Sequence, residues 1–280
     1  MTPDDYCRER AAPRGSTLHY CLRLLPAERR RAITALHALG REIGDAAGNA
    51  TDTSIALVKL AWWRGEIATI YEGRPAHPVA LALQSAAVAR TIGRAELEAL
   101  VDGAQRGVER RPFADFAALE AHCARTAGAL GALSAKLLGA RADATLGCAC
   151  ELAVATRLIE IIRDVGSDAR AGRMLIPLDE LARAGLTPAE IVARRSSPAF
   201  TALMSLQAAR ARERIERATA GAGSGDSRML APALAAAAIQ RVLLDEIERD
   251  GFRVLERRVA LTPVRKLLIA TRALRAARSS

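Results

Sequence analysis

Aromatic side chains are scarce in this sequence: two Trp, three Tyr and four Phe among 280 residues. Ala and Leu dominate the apolar half of the composition instead. That usage favours helix, because Ala and Leu lose little side-chain freedom there. No segment alternates apolar and polar residues as a half-buried strand does, and none repeats at a fixed period. No run reaches the ~18 uncharged apolar residues of a membrane span. The opening Met-Thr-Pro-Asp-Asp lacks the basic-then-apolar layout of a signal peptide. The five cysteines (Cys7, Cys21, Cys123, Cys148 and Cys150) show no repeated CxxC spacing. They argue against a zinc site and for small apolar side chains in a reducing, cytoplasmic setting.

What the sequence does have is helical signal from end to end. Half of it is apolar, too much for a disordered chain and enough for a full core. Thr2-Pro3 reads as a cap and a first-turn proline, opening a helix to residue 10. Pro26 opens a longer one with Ile33, Leu36, Gly40 and Ile43 on one face. Asp52 or Thr53 caps the next, which carries Leu60, Trp63, Ile67 and Ile70 until Gly73 and Pro75 stop it. The pattern predicts further helices over 78–89, 94–108, 115–138 and 141–165. After a loop through Gly172 and Pro177 come 178–184, 188–193, 199–220 and 229–255. A last, basic amphipathic helix covers 263–278. The Gly- and Ser-rich stretch 221–227 is the clearest flexible connection, but it joins two helices and marks no domain boundary. A single all-α domain over residues 1–280 is expected.

The formal net charge is +10. Nucleic acid, an anionic membrane surface and a phosphate-bearing substrate are the partner classes that would account for it. The charge is Arg scattered along helices, without a nucleic-acid-binding motif, so nucleic acid is not expected. The last helix suits either peripheral attachment to the inner membrane face or docking on the core with an exposed Arg face.

The strongest chemical signal is Arg157-Leu-Ile-Glu-Ile-Ile-Arg-Asp-Val-Gly-Ser-Asp168. Residues four apart share a helix face, so Glu160, Asp164 and Asp168 form a column, with Arg157 and Arg163 near its edge. Like charges so placed repel, and magnesium would offset the repulsion. It takes oxygen donors, usually one or two carboxylates, and shares its remaining positions with water and substrate phosphates. An exposed helix end whose acids pair with Arg163 and Arg170 explains the same spacing.

The stretch from Arg163 to Pro177 resembles the second aspartate-rich signature of the squalene/phytoene synthase family. Within that family the chain is most similar to bacterial presqualene diphosphate synthases. The likeness also covers Asp5–Cys7, Leu25–Leu36, Lys59–Glu66, His77–Val79, Cys123–Gly128, Phe200–Met204, Leu243–Gly251 and Leu261–Lys266, in the family's order. It implies a helical bundle of the class I isoprenoid synthase type with a central cavity. Two facing DxxxD motifs there hold Mg2+ against the diphosphates of two farnesyl diphosphates, which condense head to head. Asp164 and Asp168 match the second motif. Arg41 and Arg163 match phosphate-binding arginines, Arg173 stands where a further one is expected, and Ser16, Thr17 and Tyr20 match the substrate-binding region.

The first motif departs from the family pattern. Gly44 and Gly48 occupy its aspartate positions, and only the intervening Asp45 is acidic. Glu42 and Asn49 do not reproduce the lost face, because a helix turns ~100° per residue. His122 stands in place of a tyrosine, as an alternative acid–base. Glu160 replaces an asparagine and Arg157 a glutamine. Leu18, His19, His37 and Leu39 replace cavity aromatics. Three functions follow from the resemblance. The first is condensation of two farnesyl diphosphates to presqualene diphosphate. The second is a non-catalytic relative binding a prenyl diphosphate or a partner synthase. The third is ionisation of a single prenyl diphosphate, with Glu160, Asp164 and Asp168 as the sole metal cluster.

Overall fold

The computed structural model describes residues 1–48, 52–108, 111–223 and 226–279. Short capped helices begin the chain. The first, α1 (Pro3–Ala11), has Thr2 and Asp5 as a reciprocal capping box, and Ser16 caps α2 (Thr17–Cys21). Then come α3 (Ala27–Gly48), α4 (Thr53–Glu72), α5 (Pro78–Ser85) and α6 (Arg94–Gln105). Asp52 caps α4, and Gly73 ends it in the left-handed conformation that glycine adopts without strain. A longer helical run combines α7 (Phe116–Cys123), one π turn (Ala124–Gly128) and α8 (Ala129–Leu137). It is followed by α9 (Asp143–Arg170), α10 (Leu178–Arg183), α11 (Pro188–Val192), α12 (Pro198–Ala220), α13 (Ser227–Arg249) and α14 (Pro263–Ser279). No strand occurs among the described residues.

The expected helices are present, with differences. The 229–255 helix stops at Arg249, where Gly251 and Phe252 take positive φ before a 3-10 turn at Arg253–Leu255. The 78–89 helix stops at Ser85 before a second such turn at Val88–Arg90. The short α2 was not foreseen. The 115–138 helix carries a π turn, and α9 runs five residues further than its periodicity indicates, so Asp168 lies on the helix. Residues 224 and 225 of the 221–227 connection lie outside the described residues.

The α9 helix is apolar on several faces, as a central helix must be. Leu152, Val154, Ala155, Leu158, Ile159, Ile161 and Ile162 are all buried, packed with α12 and α13 in one apolar cluster. A second cluster gathers α1, α3, α4, α5 and α6 around Leu36, Leu39, Leu60 and Ile67. Two crossings depend on missing side chains. A Cβ on Gly131 of α8 would lie 2.6 Å from Ala153 Cβ, and one on Gly166 of α9 would lie 2.8 Å from the Val254 carbonyl. The α14 helix buries Ala270, Leu274 and Ala277, while Arg265, Arg272 and Arg275 are exposed. No helix among the described residues is long and apolar enough to cross a membrane.

Candidate functional site

A cavity of about 690 Å³ lies between the two apolar clusters, walled by α3, α8, α9 and α13. Its walls change character along their length. On α3 the lining runs from Ile33 through His37 to Arg41, Gly44, Asp45 and Gly48. On α9 it runs from Leu152 and Ala153 to Arg157, Glu160, Asp164 and Asp168. Leu22, Ile33 and Leu138 pack together with Met229 at the apolar end. Met229 also packs beside Leu146, near the start of α9, so the apolar ends of both walls coincide. From Leu152 to Asp168 the helix rises roughly 24 Å at ~1.5 Å per residue. One cavity therefore has a hydrocarbon floor and a charged rim.

Every acid of the α9 column has an arginine. Arg157 reaches Glu160 at 3.3 Å, and Arg173 donates to Asp168 at 2.7 Å. Asp164 accepts from Arg163 Nε at 2.9 Å and from Arg258 Nε at 2.7 Å. Burial pushes the Asp164 carboxyl up, but hydrogen bonds from Arg163 and Arg258 outweigh it and bring the pKa down to about 2. On the α3 wall, Asp45 pairs with Arg10, which also donates to Glu42 at 2.6 Å. A Cβ on Gly44 or Gly48 would meet nothing within 4 Å. Asn49 lies outside the described residues.

Arg41, Arg173, Asp45, Glu160, Asp164, Asp168 and His122 are thus brought together in the lining. Arg163 stands behind it, against Asp164. Ser16, Thr17 and Tyr20 lie outside it: Ser16 caps α2, Thr17 begins that helix, and Tyr20 packs edge-on to His19 at 5.1 Å. The lining supplied by α2 is Leu18 and Cys21, with Leu22 just after the helix.

The structure adds residues that the sequence reading missed. Arg106 and Arg111 line the cavity. Arg258 reaches Asp164 from 94 positions away, and Lys266 donates to the Gly15 carbonyl at 3.1 Å. Burial, then Arg163 and Arg258, lower the Lys266 pKa. Lys266 fell within a stretch of family likeness, but nothing local in the sequence marks Arg258.

Two imidazoles face the cavity. His37 Nε2 lies 3.1 Å from Ser134 Oγ, and the His122 ring lies 5.3 Å from that of Phe113. Burial, then Arg41, lowers the His37 pKa to about 4. Burial, then Arg157 and Arg125, does the same for His122. Both rings are neutral at pH 7. Their folded pKa values lie below the ordinary 6.5, so the unfolded chain binds more protons between those limits. The stability they contribute is complete above about 6.5 and is lost as pH falls towards about 4. Denaturant midpoints at pH 7 and pH 5 should differ less in an H37Q/H122Q variant. An unchanged difference would assign the loss to other groups.

The carboxylates have the oxygen chemistry for magnesium, but their arrangement does not fit an ion bridging two walls. Gly44 and Gly48 offer no donor, and Asp45, Asp164 and Asp168 are already held by arginines. Among the described residues no three acid, imidazole or thiol groups are placed to share one ion.

Residues 11–265 match the family described as squalene/phytoene synthase. The chain is 30% identical over 270 residues to chloroplastic phytoene synthase 2 of Solanum lycopersicum, covering 94% of this chain and 87% of that one. It spans about two thirds of the length of other chloroplast phytoene synthases that it matches. A dehydrosqualene synthase crystal structure superposes with a TM-score of 0.83 at 20% identity, over 99% of this chain and 97% of that one. The squalene synthase HpnC from Alicyclobacillus acidocaldarius gives 0.75 at 18% identity, over 89% and 94%. These likenesses show the all-α isoprenoid synthase fold. With the family match over most of its length, the chain belongs to the squalene/phytoene synthase family, whose members condense prenyl diphosphates head to head.

Proposed function

We propose that the cavity binds farnesyl diphosphate, or a related prenyl diphosphate, and that the chain condenses two farnesyl diphosphates head to head to presqualene diphosphate. The single observation that carries this reading is the cavity's polarity, a hydrocarbon floor long enough for a prenyl chain leading to an arginine-rich rim. Its volume of about 690 Å³ is within the ~300–1,000 Å³ usual for ligand sites.

In the proposed reaction the C–O bond of one allylic diphosphate breaks and the diphosphate leaves with the electron pair. The double bond of the second farnesyl group attacks the cation, and loss of a proton closes the cyclopropane. Arg41 and Arg173 at the rim counter the charge of the departing diphosphate. The floor formed by Leu22, Ile33, Leu138 and Leu152 keeps water from the cation. Neutral His37 and His122 offer ring nitrogens to the proton. Family members generally depend on a divalent metal ion, but no step here is assigned to one.

A second reading, a non-catalytic relative that binds a prenyl diphosphate or a partner synthase, is favoured by Gly44 and Gly48. The whole chain, incubated with farnesyl diphosphate and magnesium, should release diphosphate and form presqualene diphosphate. Binding without turnover would select the second reading. Because space is open at both glycines, a G44D/G48D variant should fold and gain at least tenfold in turnover if missing donors limit the reaction.

A further inference from the structure

The mismatch between this cavity and a two-wall metal cluster points to a different way of holding the ligand. We propose that the cavity binds the diphosphate of its prenyl ligand through arginines, without a divalent metal ion. This rests on the prenyl diphosphate reading above and adds how the headgroup is recognised.

The charges carry the argument. Five arginines line the cavity: Arg41, Arg106, Arg111, Arg157 and Arg173. Four carboxylates face them, but two are held from behind the wall: Asp45 by Arg10, which it shares with Glu42, and Asp164 by two arginines, Arg163 and Arg258, so that these groups together are neutral. Of the arginines, Arg157 and Arg173 pair with Glu160 and Asp168, while Arg41 and Arg106 face no acid among the described residues, leaving two positive charges in excess. A cavity that relies on cations to bring in a diphosphate needs acidic walls to hold those cations. This one has a basic wall, which attracts the anion directly and repels a free divalent ion.

Placement agrees with charge. Arg41 enters from α3, one turn before Gly44, on the wall that has no metal donors. Arg106 enters from the end of α6. Neither has an ion-pair partner among the described residues. Guanidinium groups suit the task because their planar fork takes two phosphate oxygens at once and stays charged at any working pH. Arg157 and Arg173 hold single carboxylates at the rim and can turn from them to the phosphate oxygens, a more highly charged partner.

The test is calorimetric titration of the whole chain with farnesyl thiodiphosphate, a poorly ionising analogue, in magnesium and in EDTA. The dissociation constants are expected to agree within about threefold. Farnesol, which has the chain but no diphosphate, should bind at least tenfold more weakly in either buffer. Arg41→Gln and Arg106→Gln should each weaken the thiodiphosphate about tenfold in both buffers, as loss of a charged hydrogen bond does, with the thermal midpoint confirming folding. The G44D/G48D variant should reverse the pattern and bind more tightly in magnesium than in EDTA. Binding of the wild-type chain in magnesium alone overturns the arginine-only proposal and leaves the ligand assignment standing. No binding in either buffer overturns the ligand assignment itself.

Discussion

Changing Gly131 to alanine is expected to lower the thermal midpoint by several degrees, while the same change at Gly147 raises it slightly. Both glycines lie inside helices, so propensity alone favours alanine at each by up to ~1 kcal/mol. What separates them is space. A Cβ on Gly131 would lie 2.6 Å from Ala153 Cβ and 2.8 Å from the Ala149 carbonyl oxygen, whereas one on Gly147 would meet nothing within 4 Å. These neighbours are a methyl carbon and backbone on α9, with no flexible end to swing aside, so α8 and α9 must move apart. Overpacking of that kind costs about 1–3 kcal/mol, more than the gain in propensity. In a chain of this size each kcal/mol shifts the midpoint by roughly 2–4 °C. Because Gly131 also lines the cavity, the variant should bind farnesyl thiodiphosphate more weakly. Equal midpoint shifts at the two positions would mean that the helices separate without cost.

The second large effect is expected at Asp164. Its side chain is 19% exposed and that of Arg163 is 15% exposed, so solvent screens their bond only partly. Asp164→Asn removes the charge while nearly keeping the shape, and leaves Arg163 and Arg258 facing a neutral group. The carboxyl is held at about 2, against an ordinary 3.8. At ~1.4 kcal/mol per pKa unit, the interaction stabilises the fold by on the order of 2 kcal/mol at neutral pH. The sign follows from the lowered value. The contribution is complete above about pH 4 and is lost as pH falls towards about 2. Urea midpoints in metal-free buffer should therefore drop for the variant at pH 7, and wild type and variant should converge in acid. An undiminished gap at low pH would place the effect outside this titration. The acid window is separate from that of His37 and His122, which lies between about 6.5 and about 4.

Much of the fold was legible because its signals are local. Thr2 and Asp52 each cap a helix through their own side chains, a bond that needs only the next few residues. The carboxylate column of α9 follows from a spacing of four on a helix, and the missing donors at 44 and 48 from the identity of glycine. The π turn at Ala124–Gly128 left no such trace. Its last residue, Gly128, fits closely against Cys150 and Val154 on the next helix, where an added Cβ would lie 2.6 Å from the Cys150 sulfur, a contact that only the packing reveals.

By itself, then, the sequence determined the helical class, the face that carries Glu160, Asp164 and Asp168, and the absence of side-chain donors at Gly44 and Gly48. Only the tertiary structure decided which charges meet. Arg10 takes Asp45 across 35 positions, and Arg258 takes Asp164 across 94. Ion pairs of that span are set by how helices pack, not by periodicity within any one of them. That packing turned an acidic column into a wall of carboxylates held by arginines, and left Arg41 and Arg106 facing the cavity with no acid partner among the described residues.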